Sequence, residues 1–287
     1  MLSIRKLLAY VIPVFAGLLD LPNGLFIRLL SCCECGRLPA RADSPKRRRR
    51  GLTIVLGGVE GPSFFSAQMV RGLLASGYRG AVMRVDWNDG IQFIRSITNL
   101  MNRSHHDRWA TRVAEIVTAY QREHPCAPIS ILAQSGGCWI AVRTLELLPK
   151  DARISTVALH APAVSPDYDL RPALANCTHA LISVEAFGDF VILGLGTLIF
   201  GTADRRHTPA AGLVGFRNPP EKVVSMRWRP SWLNHRHFGN HTSSASFALI
   251  RDLIGPALLT RRAKTAPAHD CGGILPADRA DSADAPR

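Results

Sequence analysis

Residues 129–142 read Ile-Ser-Ile-Leu-Ala-Gln-Ser-Gly-Gly-Cys-Trp-Ile-Ala-Val, and this stretch leaves the chain few ways to fold. Its first half is a short apolar, β-branched run, the mark of a buried strand. From Cys138 to Leu148 the pattern suits a helix, which Pro149 ends. Between them stand Ala133, Gln134, Ser135, Gly136 and Gly137, a small-x-Ser-x-small sequence. A turn this tight between strand and helix has no room for side chains two residues either side of the serine. It holds the serine in strained φ/ψ at its tip, with the hydroxyl presented and the N–H groups of the new helix behind it. An ordinary Ser-Gly turn in a βα unit satisfies the same five residues, so the flanking chain has to decide.

That chain alternates strands and helices. Strands are predicted over 52–56, 80–87, 129–132, 155–159, 180–184 and 223–226. Helices are predicted over 63–74, 107–124, 138–148 and 243–254, the last stopped by Gly255-Pro256. Such alternation gives an α/β fold, a doubly wound and mostly parallel sheet with helices on both faces. Only 162–178 separates two of the core strands, which leaves no large lid domain. Three regions follow: an apolar and basic segment over 1–50, the α/β domain over 51–258, and a tail over 259–287 rich in Ala, Asp, Pro and Gly that reads as disordered.

Charge is unevenly spread. The formal net charge is +13, yet ten Lys and Arg against three acids fall before residue 52. The folded domain therefore has no strongly basic face, and with no zinc-finger, RNP-like or helix-turn-helix pattern nucleic acid is not an expected partner. Seven irregularly spaced cysteines do not make a disulfide framework, and Cys32, Cys33 and Cys35 lack a second pair at zinc spacing, so no metal is expected. Residues 7–19 form an apolar run too short to span a bilayer unaided, with the length of a signal-peptide core but no cleavage site after it. A second apolar patch covers 25–30, and the basic run 46–50 follows the cysteines. Such a segment either seeks a membrane interface, one weak anchor plus a polybasic patch holding the chain on anionic lipid, or packs as a helix on the domain. The chain is accordingly expected in the cytoplasm or peripherally on a membrane. Its oligomeric state stays open.

The serine turn resembles the nucleophile elbow of the α/β-hydrolase superfamily, usually written G-x-S-x-G, with Ala133 in place of the first glycine. The resemblance covers roughly 51–254. It implies a serine esterase or lipase-like enzyme with no cofactor, whose Ser135 is the nucleophile. The acid is expected just past the strand over 180–184, where Asp189 fits best and Glu185 and Asp204 compete. The histidine is expected in the loop before the closing helix, where Asn234-His235-Arg236-His237-Phe238-Gly239-Asn240-His241 offers His241 first and His237 second. The oxyanion donors would be the N–H of Gly136 and one from Gly58 or Val59 in the glycine-rich loop after the first strand. The order Ser135, Asp189, His241 is the family's order. The implied reaction is cleavage of a small-molecule acyl ester through an acyl-enzyme. A non-catalytic binding protein on a membrane and an acyltransferase are the alternatives on the same fold.

Overall fold

The computed structural model describes residues 4–20, 22, 38–61, 63–88 and 96–263. The apolar patch over 25–30, the cysteines at 32, 33 and 35, and the tail from 264 lie outside the described residues. Six strands form one sheet: β1 (Leu52–Leu56), β2 (Ala81–Val85), β3 (Ile129–Gln134), β4 (Ile154–His160), β5 (Cys177–Val184) and β6 (Val223–Met226). Every pairing is parallel, and the order is β2-β1-β3-β4-β5-β6. The direction of winding reverses between β1 and β3. In open parallel sheets the crevice for a ligand lies at the carboxyl ends of strands at such a reversal. The loop carrying Gly58 leaves β1 there, and Ser135 leaves β3 beside it.

Period-two alternation sends apolar side chains of these strands to both faces of the sheet. Ile54, Leu56, Ile131 and Ala133 point into one core layer with Val113, Val117, Trp139 and Ile140. Val55, Leu132, Ala158 and Ile182 point the other way, against Met69, Leu73, Leu249 and Ile250. Both faces are buried, as a parallel sheet covered by helices requires. The principal covering helices are α2 (Phe64–Ala75), α3 (Arg103–Glu123) and α4 (Gly137–Leu147). Helix α2 starts at Ser63, whose hydroxyl accepts from Ser66 N–H while the Ser66 hydroxyl accepts from Ser63 N–H, a reciprocal capping box.

The closing helix differs from expectation. Thr242–Ala245 is a 3₁₀ turn, Ile250–Ile254 a π turn, and the chain runs straight on through Gly255-Pro256 into an α-helix that ends at Ala263. A wide π turn ahead of the proline relieves the clash that its ring would make with a regular α-helical carbonyl. The start of the expected tail, 259–263, is thus helical.

The N-terminal apolar run is helix α1 (Ile4–Leu18), with Pro13 inside it. It packs on the domain at very close range. A Cβ on Gly17 would stand 1.8 Å from the Gly188 carbonyl oxygen, and one on Gly239 would stand 2.9 Å from Pro13 Cβ. Its outer side keeps Val14, Phe15 and Leu18 exposed. Among the described residues no helix is long and apolar enough to cross a membrane. Cys138 and Cys177 are buried free thiols, and Cys126 is disulfide-bonded.

Candidate active site

Ser135 sits at the tip between β3 and α4 with φ of 53°, in the left-handed region that a residue with a Cβ rarely enters. Three neighbours hold it there. Its N–H donates to the His160 carbonyl (2.9 Å), and its own carbonyl accepts from Cys138 N–H (3.1 Å) and Ala163 N–H (3.3 Å). The small residues around it are explained by what lies opposite. A Cβ on Gly137 would be 2.3 Å from the Gly57 carbonyl oxygen and 2.8 Å from that of Leu56. Helix α4 can start against the end of β1 only if that position is bare. Gly136 faces Val59 Cγ1 (2.9 Å from a built Cβ) and the Trp87 ring, so the loop after β1 rests directly on the elbow. The first N–H groups of α4 have no acceptor within their own helix, which makes this end of α4 suited to a developing negative charge.

Asp189 follows β5 and is fully buried. Its Oδ1 accepts from Leu193 N–H (3.1 Å), capping the π turn Phe190–Gly196, and its Oδ2 accepts from His241 Nδ1. His241 lies in the loop after β6 with 9% of its surface exposed. The loop is pinned from beneath, because Gln134 Nε2 donates to the His241 carbonyl (3.5 Å) and His160 Nδ1 is bonded to the Ser244 carbonyl (2.7 Å). The residue before the serine therefore touches the backbone of the histidine. Burial pulls the His241 pKa down, but Asp189 outweighs it, with Asp20 and Glu60 adding to the pull, and the imidazole is raised to about 9.

The rival residues are occupied elsewhere. Asp204 accepts from Ser165 N–H (2.8 Å), Ser165 Oγ (2.5 Å) and Thr202 Oγ1 (2.7 Å), which ties two loops together. Glu185 is paired with Arg227 (3.3 Å), and burial raises its pKa against the pull of that arginine. His237 is fully buried beside the Trp232 ring with Nδ1 on Ser243 Oγ (2.8 Å), and burial lowers its pKa to about 3. His235 meets Asp252 (3.0 Å). Asp189 and His241 are brought together, and Glu185, Asp204 and His237 are not part of that pair.

Two carboxylates that the sequence did not single out face the same place. Glu60 bends back over the loop after β1, so that a Cβ on Gly58 would lie 2.2 Å from its Oε2. Asp20, just beyond α1, is bonded to the histidine loop. Neither stands at a motif position, and the polar residue closing an apolar run was the only local sign of Asp20. Among the described residues no group of three or more His, Cys, Asp or Glu is placed to hold a metal ion. A hollow of about 370 Å³ lined by Thr111, Glu115, Arg122, Leu147 and Pro149 contains none of these residues.

The fold is thus α/β, a doubly wound parallel sheet covered by helices, with a strained serine between strand and helix and an Asp–His pair on two further loops. No family model matches the chain, and no curated protein does. Among solved structures it is similar to a presumed hydrolase of the alpha/beta superfamily from Xanthomonas campestris pv. campestris, with 18% identity over 74% of this chain and 99% of that one and a TM-score of 0.42.

Proposed function

We propose that this protein is a serine hydrolase that cleaves esters of apolar acyl groups. The observation that carries the reading is the bond between His241 Nδ1 and Asp189 Oδ2, made in loops that leave the same sheet edge as the strained Ser135. A carboxylate on Nδ1 fixes the tautomer in which Nε2 is the free base. In the proposed reaction Nε2 takes the Ser135 proton as Oγ bonds to the ester carbon. The N–H of Gly136, with that of Gly58 or Val59, holds the oxyanion. The carbon–oxygen bond to the alcohol then breaks as the imidazolium returns the proton to the leaving oxygen. Water repeats the sequence on the acyl-enzyme and frees the acid.

A fluorophosphonate probe tests this directly. Labelling of the wild type on Ser135, located by peptide mass, together with none on Ser135→Ala, is the expected result. A wild type that takes no label at Ser135 ends the hydrolase reading.

The surface favours an apolar substrate presented at a lipid interface. Of fourteen large hydrophobic side chains exposed among the described residues, thirteen lie on α1, at Leu19 just past it, or on the segments after β5 and β6; Leu147 is the exception. Phe15 and Leu18, Leu195, Leu198 and Ile199, and Phe238 thus lie exposed on the segments that carry Asp20, Asp189 and His241, and apolar exposure concentrated on a few segments suits an interaction surface. Residues 190–246 add seven Lys and Arg against two acids, with Arg205, Arg206, Arg229 and Arg236 exposed, which suits anionic headgroups. The basic run over 46–50 supports this less. Arg47 is committed to the carbonyls of Gly80 (2.9 Å) and Tyr78 (2.6 Å), and Arg48 to both oxygens of Asp43 (2.7 Å each). The wild type is expected to sediment with phosphatidylcholine–phosphatidylglycerol vesicles, and a Leu198→Asp/Ile199→Asp variant to bind at least about tenfold more weakly. Equal binding by the two proteins would remove this face from the lipid reading.

A further inference from the structure

The structure assigns Asp20, from the N-terminal helix, as a positioning residue for His241. This deepens the hydrolase reading and rests on it. Asp20 is 1% exposed, and its carboxylate gathers four donors from three consecutive residues of the histidine loop. Oδ2 accepts from His241 N–H at 2.8 Å. Oδ1 accepts from Asn240 Nδ2 (2.6 Å), Thr242 N–H (3.1 Å) and Thr242 Oγ1 (2.7 Å). Asn240 Nδ2 also reaches the Ala16 carbonyl (3.3 Å) near the end of α1, so helix and loop are bound in both directions. Asp20 accepts in all four bonds, two of them from backbone N–H groups that can only donate, which fits an ionised carboxylate.

The location is a poor one for stability alone. A carboxylate just past a helix C-terminus faces the negative end of the helix dipole, and burial raises the Asp20 pKa further, against the opposing pull of His241. A sequence that breaks a local rule in this way does so most often at a functional position. Here the benefit is geometric. The backbone of His241 is held from its N–H side by Asp20 and at its carbonyl by Gln134 and Ser244, while the ring is held by Asp189. Little freedom remains for the imidazole to turn or shift. Gly17, Gly188 and Gly239 are the positions that let α1 come this close, since a Cβ on Gly188 would lie 2.1 Å from the Pro13 carbonyl oxygen. The anions facing the imidazole come from three elements: Asp189 after β5, Asp20 after α1 and Glu60 after β1.

The test is Asp20→Asn alongside Asp20→Glu in the full chain, followed by the fluorophosphonate labelling rate of Ser135 from neutral to alkaline pH and by the proton resonance of His241 Nδ1–H. Asn keeps the size but turns a donor toward donors and removes one anion. For Asp20→Asn the expected plateau labelling rate is about 10- to 100-fold below wild type. Its acid limb, and the titration of the Nδ1–H resonance, should move to lower pH because one of the three anions is gone, and Asp20→Glu should restore the limb. A mere tether between helix and domain would lower thermal stability while leaving the rate plateau and both titrations where they were, and that result overturns the assignment. The resonance separates the two claims. If the wild type takes no label but Asp20→Asn still shifts the His241 titration, the hydrolase reading fails and the contact of Asp20 with the imidazole's field stands.

Discussion

Asp189→Asn is expected to lower kcat for a p-nitrophenyl acyl ester by about 10⁴ while leaving the fold intact. Asparagine can still cap Leu193 N–H through its oxygen, so the π turn has what it needs. With that oxygen on Leu193, the asparagine turns its NH2 group toward His241 Nδ1, where the aspartate presented an accepting oxygen. Either its amide group meets the ring's N–H, or the imidazole moves its proton to Nε2 and ceases to be a base toward Ser135. The rivals supply the internal control. Asp204→Asn loosens the tie between Ser165 and Thr202, and Glu185→Gln loses the pair with Arg227, but neither touches the imidazole. Both are expected to stay within a few-fold of wild-type kcat. A full loss in Asp204→Asn with activity retained in Asp189→Asn would put the acid in the wrong loop and dissolve the proposed triad.

The second large effect concerns folding. Gly137→Ala is expected to destabilise the protein by about 3 kcal/mol or more in chemical denaturation, although alanine is the better helix former by about 1 kcal/mol. The added methyl would sit 2.3 Å from one carbonyl oxygen of the β1 end and 2.8 Å from the next. Leu56 is the last residue of a central strand paired by β2 and by β3, and the Gly57 carbonyl just past it accepts from Trp87 Nε1 (2.8 Å), so neither can retreat without disturbing the sheet or that bond. Gly136→Ala makes a useful contrast. Its new methyl meets Val59 Cγ1 at 2.9 Å and the edge of Trp87 at 3.3 Å, and a valine side chain can turn away. That variant is expected to fold with a smaller loss of stability. Because Val59 belongs to the loop expected to bind the oxyanion, its labelling rate should fall more than its stability. Equal unfolding midpoints for Gly137→Ala and wild type would mean that α4 does not start hard against β1.

The sheet and its elbow were legible in the residues because both are consequences of local rules. Strands buried on two faces are mostly apolar on both, as 52–56 and 129–132 are apart from Thr53 and Ser130, and a helix wedged against a strand end must begin with residues lacking bulk, as Gly136 and Gly137 do. Pro256 misled for a local reason too: proline normally ends a helix, and only a π turn just before it let this one continue.

The residues themselves determined the alternation of elements, the parallel sheet and the position of the strained serine, since period and bulk act over a few neighbours. A family resemblance put Asp189 and His241 first among several candidates, but only the tertiary structure decided which carboxylate meets which imidazole. The partner of His241 is 52 residues away along the chain, and the aspartate that holds its backbone is 221 residues away. A hydrogen bond between side chains so far apart leaves no periodicity and no spacing to read. It exists only once the loops after β5 and β6 and the end of α1 have been packed against one another, and in this protein that packing depends on three bare glycines, Gly17, Gly188 and Gly239.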